Sequence, residues 1–170
     1  MEQFLIVDGY NMIGAWPQLQ MLRDVSLEEA RDRLIDMLAE YQAFSGVKVV
    51  LVFDAYQVPG LGKEYRQNRL RVLYTKEKET ADELIERLVT ELIARRRQIY
   101  VATSDMMEQH VIFGLGAFRL TASELLTRIR QGRKEIQHKI KRPALPERNT
   151  LDSRIDPSLL AKLEKMRRGE

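Results

Sequence analysis

The chain has no cysteine, one tryptophan and two histidines among its 170 residues, and each scarcity removes a class of chemistry. Without cysteine there is no disulfide framework, no zinc–thiolate site and no thiol nucleophile, a composition that suits a reducing interior. His110 and His138 leave little for a metal-free acid–base mechanism: neither has a partner visible in the sequence, and His110 reads as a packed or exposed residue of a short helix. Proline (5) and glycine (9) are few, and no linker or low-complexity tract divides the chain. A single domain over residues 1–170 is expected, with a core of about 1–120 and a C-terminal helical extension of about 121–170. A chain this long buries roughly 70% of its unfolded surface, enough for a full core. No apolar run reaches the length of a membrane span, and Met1-Glu2-Gln3 lacks the positive charge of a signal segment. A cytoplasmic protein with no membrane partner is the expectation.

What charge there is lies unevenly. Residues 1–118 carry 14 Lys/Arg against 18 Asp/Glu, net −4, whereas residues 119–170 carry 14 against 7, net +7. A basic stretch behind an acidic body is the pattern of a polyanion-binding surface or of a solvated Arg/Lys-rich helix face. Charge alone does not choose between them.

Apolar β-rich runs alternate with helical periodicities, as a mostly parallel α/β sheet flanked by helices requires. After a first strand at Phe4–Val7, Ser26-Leu27-Glu28-Glu29 is a capping box. Leu27, Ala30, Leu34, Leu38 and Tyr41 follow at helical spacing until Ser45-Gly46 stops the helix. Val49–Phe53 is a second strand, Ala55 to about Leu70 a loop, and Val72–Tyr74 a third strand. Thr80-Ala81-Asp82-Glu83 caps a helix carrying Leu84, Leu88, Val89, Leu92 and Ile93, and Arg95-Arg96-Arg97 suits its negative end. A fourth strand runs from Ile99 to Thr103, and Asp105 opens a short helix to Phe113-Gly114. A long helix is predicted from near Thr121 to about Arg142, and a weakly amphipathic one from Pro157 to Arg168.

Each strand leads to an aspartate: Asp8, Asp54, Asp82 and Asp105. Singly these have ordinary readings, as turn formers, a helix first-turn acid and an N-cap. Ligands of open α/β sheets, however, bind at the carboxyl ends of the strands, and four acids at one edge point to a site. At an effective dielectric near 20, two carboxylates about 5 Å apart repel by roughly 3 kcal/mol, so such a cluster calls for a cation. Hard oxygen ligands suit Mg²⁺ or Mn²⁺, whose usual service is phosphoryl transfer or phosphodiester hydrolysis. No organic cofactor is expected. Asn11 adds a neutral oxygen ligand or a hydrogen-bond donor in the loop after Asp8, and Thr103 and Ser104 either orient a metal-bound water or satisfy backbone groups.

Leu5-Ile6-Val7-Asp8-Gly9-Tyr10-Asn11, with Phe53-Asp54, Glu79-Thr80-Ala81-Asp82-Glu83 and Thr103-Ser104-Asp105, resembles the NYN branch of the PIN-like nucleases. Within that branch the chain is similar to the YacP-like bacterial family of ribosome-associated endoribonucleases, including around Ala15-Trp16-Pro17 and from Phe113-Gly114 to Leu126. The resemblance implies a PIN-like three-layer fold and a Mg²⁺- or Mn²⁺-dependent RNA endonuclease acting on mRNA in association with the ribosome. It implies Asp8, Asp82 and Asp105 as the acidic catalytic core, with Asp54 as a further metal ligand and Asn11 and Ser104 in support. One departure stands out: many PIN-like enzymes place a Glu on an early helix, where this chain offers Asp54 at a strand end.

Substrate contacts are sought in two places. The segment from Tyr56 to Arg69, with Lys63, Tyr65, Arg66 and Arg69, interleaves aromatic and basic residues as single-strand RNA surfaces do. On the long helix, turning 100° per residue, Arg130, Lys134 and Lys141 share roughly a 40° sector, while Leu125, Ile129, Ile136 and Ile140 form a packing stripe roughly 60° wide. Trp16 either packs beneath the loop after Asp8 or stacks on a base or a ribosomal surface. A phosphoacceptor signalling domain is disfavoured, since it needs an acidic pair after the first strand, where Asp8-Gly9 stands. The alternative to the enzyme is an inactive RNA- or ribosome-binding adaptor; the presence of all four acids argues for catalysis.

Overall fold

The computed structural model describes residues 1–55, 64–67, 69–94, 96–141 and 167. Among the described residues six strands form one sheet: β1 (Glu2–Asp8), β2 (Lys48–Phe53), β3 (Glu64–Gln67), β4 (Leu70–Tyr74), β5 (Arg97–Ala102) and β6 (Phe118–Leu120). Their order is β3-β4-β2-β1-β5-β6. The five strands from β4 to β6 run parallel, and β3 pairs antiparallel at one edge. The helices are α1 (Gly9–Ala15), α2 (Pro17–Val25), α3 (Leu27–Ser45), α4 (Ala81–Leu92), α5 (Met106–Gly114) and α6 (Ala122–Lys141). Residues 1–132 form one compact unit and 133–170 a second, the boundary falling within α6.

The pleat sorts the core into two layers. Leu5 and Val7 of β1 point to one face, where they meet Met12, Trp16, Leu34, Leu38 and, from α6, Leu125 and Ile129. Phe4 and Ile6 point to the other, against Leu84, Ile85, Leu88 and Val89 of α4 and Ile112 of α5. Period-2 alternation thus places helices on both faces of a parallel sheet, the three-layer α/β arrangement the sequence predicts.

The capping signals act as their chemistry requires. Ser26 Oγ accepts from the Glu29 amide at 3.3 Å, Thr80 Oγ1 from Glu83 at 3.1 Å and Thr121 Oγ1 from Glu124 at 3.1 Å. Gly46 ends α3 in the left-handed region at φ 76°, which glycine adopts without steric cost.

Four expectations need correction. The stretch after Asp8 is two helices rather than a loop: the seven residues of α1 include two glycines and an Asn and are too short to show a period, and Pro17 starts α2 at its N1 position. The expected loop from Ala55 to Leu70 contains β3, whose Glu-Tyr-Arg-Gln sequence has no apolar face to reveal it. The three residues of β6 are likewise below any periodicity. Finally, α4 ends at Leu92, not in the arginine tract: Arg96 has φ 77° and Arg97 begins β5. The expected helix over Pro157–Arg168 lies outside the described residues apart from Arg167, which is helical.

Gly9 is required by close approach. A Cβ there would overlap the ring of Phe53, which is fully buried at the end of β2. Gly9→Ala is expected to destabilise the protein by about 1–3 kcal/mol through overpacking, read as a fall in urea midpoint at unchanged m-value. An unaltered midpoint would mean that the Phe53 ring can yield.

Candidate functional site

The parallel strands deliver their acids to one edge. Asp8 ends β1 and caps α1, its Oδ1 accepting from the Asn11 amide at 3.4 Å. Asp54 follows β2, whose register sets Phe53 beside Tyr74 of β4. Its backbone is pinned by the buried Thr75: the Thr75 amide donates to the Phe53 carbonyl at 3.0 Å, and Thr75 Oγ1 accepts from the Ala55 amide at 2.8 Å. Asp82 lies in the first turn of α4, and Asp105 precedes α5, its Oδ1 accepting from the Glu108 amide at 3.4 Å. A cleft of about 470 Å³ is lined by Asp8, Tyr10, Asn11, Asp54, Thr80, Ala81 and Asp82. The amino ends of α1, α4 and α5 all follow parallel strands and point to this edge, where their dipoles offset part of the repulsion.

The electrostatics show that the carboxylates interact. Burial pushes Asp8 up to about 6, helped by the charges of Asp82, Asp54 and Asp105 and opposed by the Asn11 amide. Burial also raises Asp82, with Asp105, Glu86, Asp54 and Glu83 adding to it. Glu108, which sequence reading passed over, is pushed up to about 8 by burial and then by Asp82, Glu86, Asp105 and Asp8. Among the described residues no three of His, Cys, Asp and Glu already stand close enough to hold a metal ion. Mg²⁺, however, usually keeps several waters and binds through one or two carboxylates and substrate phosphates. Hard acidic oxygens around an open cleft therefore fit a hydrated divalent cation, with Asp8, Asp54, Asp82 and Asp105 as the side chains that would hold it.

The pattern of the YacP-like NYN domain matches residues 5–168. The chain belongs to the YacP-like NYN-domain family. NYN domains are a branch of the PIN-like nucleases, so the family is a nuclease family. YacP of Bacillus subtilis (strain 168) is 48% identical over 166 residues, covering 98% of this chain and 97% of that protein. The crystal structure of B. subtilis Rae1 (YacP) aligns over 98% of this chain and 95% of its own, with 47% identity and a TM-score of 0.73. A variant of Rae1 aligns over 81% and 80%, with 48% identity and the same TM-score of 0.73.

In this NYN domain the polar residues around the acids act as braces. Asn11 lies in the first turn of α1, and its Oδ1 accepts from both the amide (2.6 Å) and the hydroxyl of Ser104. It thereby ties the Asp8 end of β1 to the loop carrying Asp105. Thr103 is fully buried and serves backbone groups: its Oγ1 accepts from the Asp105 amide at 3.1 Å, and its carbonyl accepts from Gln109 Nε2 at 2.7 Å. Arg119 in turn donates to Gln109 Oε1 at 3.0 Å. Tyr10, missed at the sequence level, walls the cleft with its ring 4.9 Å from that of Phe53 and its hydroxyl accepting from Arg31 at 3.3 Å. An aromatic directly after Asp-Gly was the one available signal for it. Trp16 is packed, 1% exposed, with Nε1 donating to the Ala122 carbonyl at 2.8 Å, so it offers no stacking face.

The structure separates the expected RNA contacts. Lys63 lies outside the described residues. Tyr65 and Arg66 pair with Val72 and Arg71 on the edge strand. Arg69, at φ 67°, sits in the turn between β3 and β4, its carbonyl accepting from Gln42 at 3.0 Å. That turn is at the amino end of β4, so Arg69 stands roughly 17 Å along the strand from the edge that carries the acids. It is therefore not part of the cleft. Arg130 and Lys134 are exposed on α6, and Lys141 is its last residue. Leu125 and Ile129 are buried as expected, but Ile140 is 75% exposed and leaves the predicted packing stripe.

Proposed function

We propose that this protein is a metal-dependent endoribonuclease that cleaves single-stranded RNA, mRNA in association with the ribosome, at the carboxyl edge of its sheet. The observation that carries the reading is that Asp8, Asp54 and Asp82 line one open cleft, where the charges of Asp82, Asp54 and Asp105 act on Asp8. Family membership supports nuclease chemistry. When bound, Mg²⁺ or Mn²⁺ supplies a Lewis acid that makes water a stronger nucleophile and neutralises charge developing on the scissile phosphate. Asp8, Asp54, Asp82 and Asp105 would hold the cation, and the Asn11–Ser104 bridge keeps the Asp8 end of β1 in register with the loop carrying Asp105. Tyr10 walls one side of the cleft. In-line attack leaves 5′-phosphate and 3′-hydroxyl ends. Purified protein incubated with single-stranded RNA and Mn²⁺, with and without chelator, tests this: chelator-sensitive internal cleavage with those ends is expected. RNA or ribosome binding without cleavage would instead make it an adaptor.

The basic sector of α6, exposed at Arg130 and Lys134, supports docking on RNA. Reversing Arg130, Lys134 and Lys141 to Glu is expected to weaken RNA or ribosome association and to lower its log–log salt slope by about 0.7–0.9 for each phosphate that is no longer neutralised. Stability should hardly move, because exposed charges contribute only about 0–1 kcal/mol each. An unchanged affinity and slope across a salt series would leave that sector as solvated surface.

A further inference from the structure

Glu108 is the least explained polar group in the fold. It sits in the first turn of α5, is 3% exposed, and its Oε1 has no hydrogen-bond partner among the described residues. Its surroundings are acidic: Asp82 and Glu86, one turn apart on α4, with Asp105 and Asp8. A buried carboxylate without a donor is costly, and here the neighbouring charges add to the cost. Burial alone does not explain its presence, since an apolar side chain in the same place would pack without that penalty. The chemistry that satisfies an inward carboxylate oxygen among acids is a cation.

We infer that Glu108 is a fifth carboxylate of the cation centre, its buried, unpartnered Oε1 binding the divalent ion from α5 in its inner or outer coordination shell. The inference rests on the metal centre proposed above and adds a ligand from α5, the helix after β5. Its short tether to Asp105, through the Glu108 amide and Asp105 Oδ1, makes the first turn of α5 a two-carboxylate clamp. Glu86 is half-buried and lies one helical turn beyond Asp82, where it contributes to the same negative potential.

Mn²⁺ binding to the full chain, measured by isothermal titration calorimetry and by electron paramagnetic resonance, tests this. Glu108→Gln is expected to bind Mn²⁺ at least tenfold more weakly than the unmodified protein, with a metal-free Tm no lower, because Gln keeps the volume and removes the repulsion. Should Glu108→Gln fail to fold, Glu108→Asp, with its oxygens drawn back by one methylene, is expected to weaken Mn²⁺ binding at least threefold. Mn²⁺ affinity unchanged in the folded variant, but lost in Asp8→Asn, would overturn the role of Glu108 and leave the aspartate centre standing. No Mn²⁺ binding by the unmodified protein would overturn both.

Discussion

Asp8→Asn and Asp82→Asn are each expected to reduce Mn²⁺-dependent RNA cleavage by at least about 100-fold, the loss typical when one group stabilising transition-state charge is removed. Both side chains line the cleft and both are held in carboxyl-rich surroundings. Asn keeps their size and one oxygen but removes the charge that a hard cation needs. The fold should survive, since Asp8 contributes only a 3.4 Å cap to α1 and the α4 cap is made by Thr80. Without metal, the Asp8→Asn protein should melt higher than the unmodified one, because a buried, repelled charge has gone. Thermal melts and gel-resolved cleavage on the same preparations decide the matter. Full activity of both variants with Mn²⁺, abolished by chelator, would place the metal elsewhere.

Chelated protein is expected to lose stability as pH rises from about 5 to 8, and millimolar Mn²⁺ is expected to restore it. The sign follows from protons: Asp8 is raised from 3.8 to about 6 and Glu108 from 4.5 to about 8. Between the ordinary and the folded values the native state holds protons that the unfolded chain has released, so stability falls with pH there. The stabilisation is complete below the ordinary carboxylate values and is lost as pH passes the folded ones. Each pH unit is worth about 1.4 kcal/mol; with relaxation of the cluster into solvent, the expected loss is on the order of 2 kcal/mol. A cation reverses it by favouring the charged forms, adding on the order of 1–3 kcal/mol at 10 to 100 times its Kd. Urea titrations across the pH range, with chelator and with Mn²⁺, read both effects. A flat metal-free profile in that window would show that the acids are more hydrated than their burial implies. Asp8→Asn should gain less from Mn²⁺ than the unmodified protein.

The elements that the sequence announced are those whose signals are local and strong. Four parallel strands, α3 and α4 were legible because Leu, Ile and Val recur at the helical or strand period and Ser26, Thr80 and Thr121 mark helix starts. The four aspartates were legible because each stands just past such an element. What stayed hidden had no local period: α1 with seven residues, β6 with three, and β3 with a polar alternation. Glu108 drew no attention in the sequence, and nothing within four residues of it tells of Asp82 or Asp8. Asn11 read as a neutral oxygen ligand or a hydrogen-bond donor in the loop after Asp8, whereas its oxygen accepts from Ser104, 93 positions away.

Residue pattern alone determined the α/β class, the helix caps, the lack of thiol chemistry, the basic C-terminal stretch and the supply of one acid per strand end. Tertiary structure decided which acids meet. The strand order β4-β2-β1-β5 places Asp54 and Asp105 on either side of Asp8, while the antiparallel β3 turns Arg69 to the far edge. It also decided that Trp16 is core and that Glu108 joins the acids. The physical reason is range: capping and periodicity act between residues up to about four apart. Convergence of carboxylates depends on pairings such as β1 with β5, which join residues nearly a hundred positions apart, and no window of the sequence contains both partners.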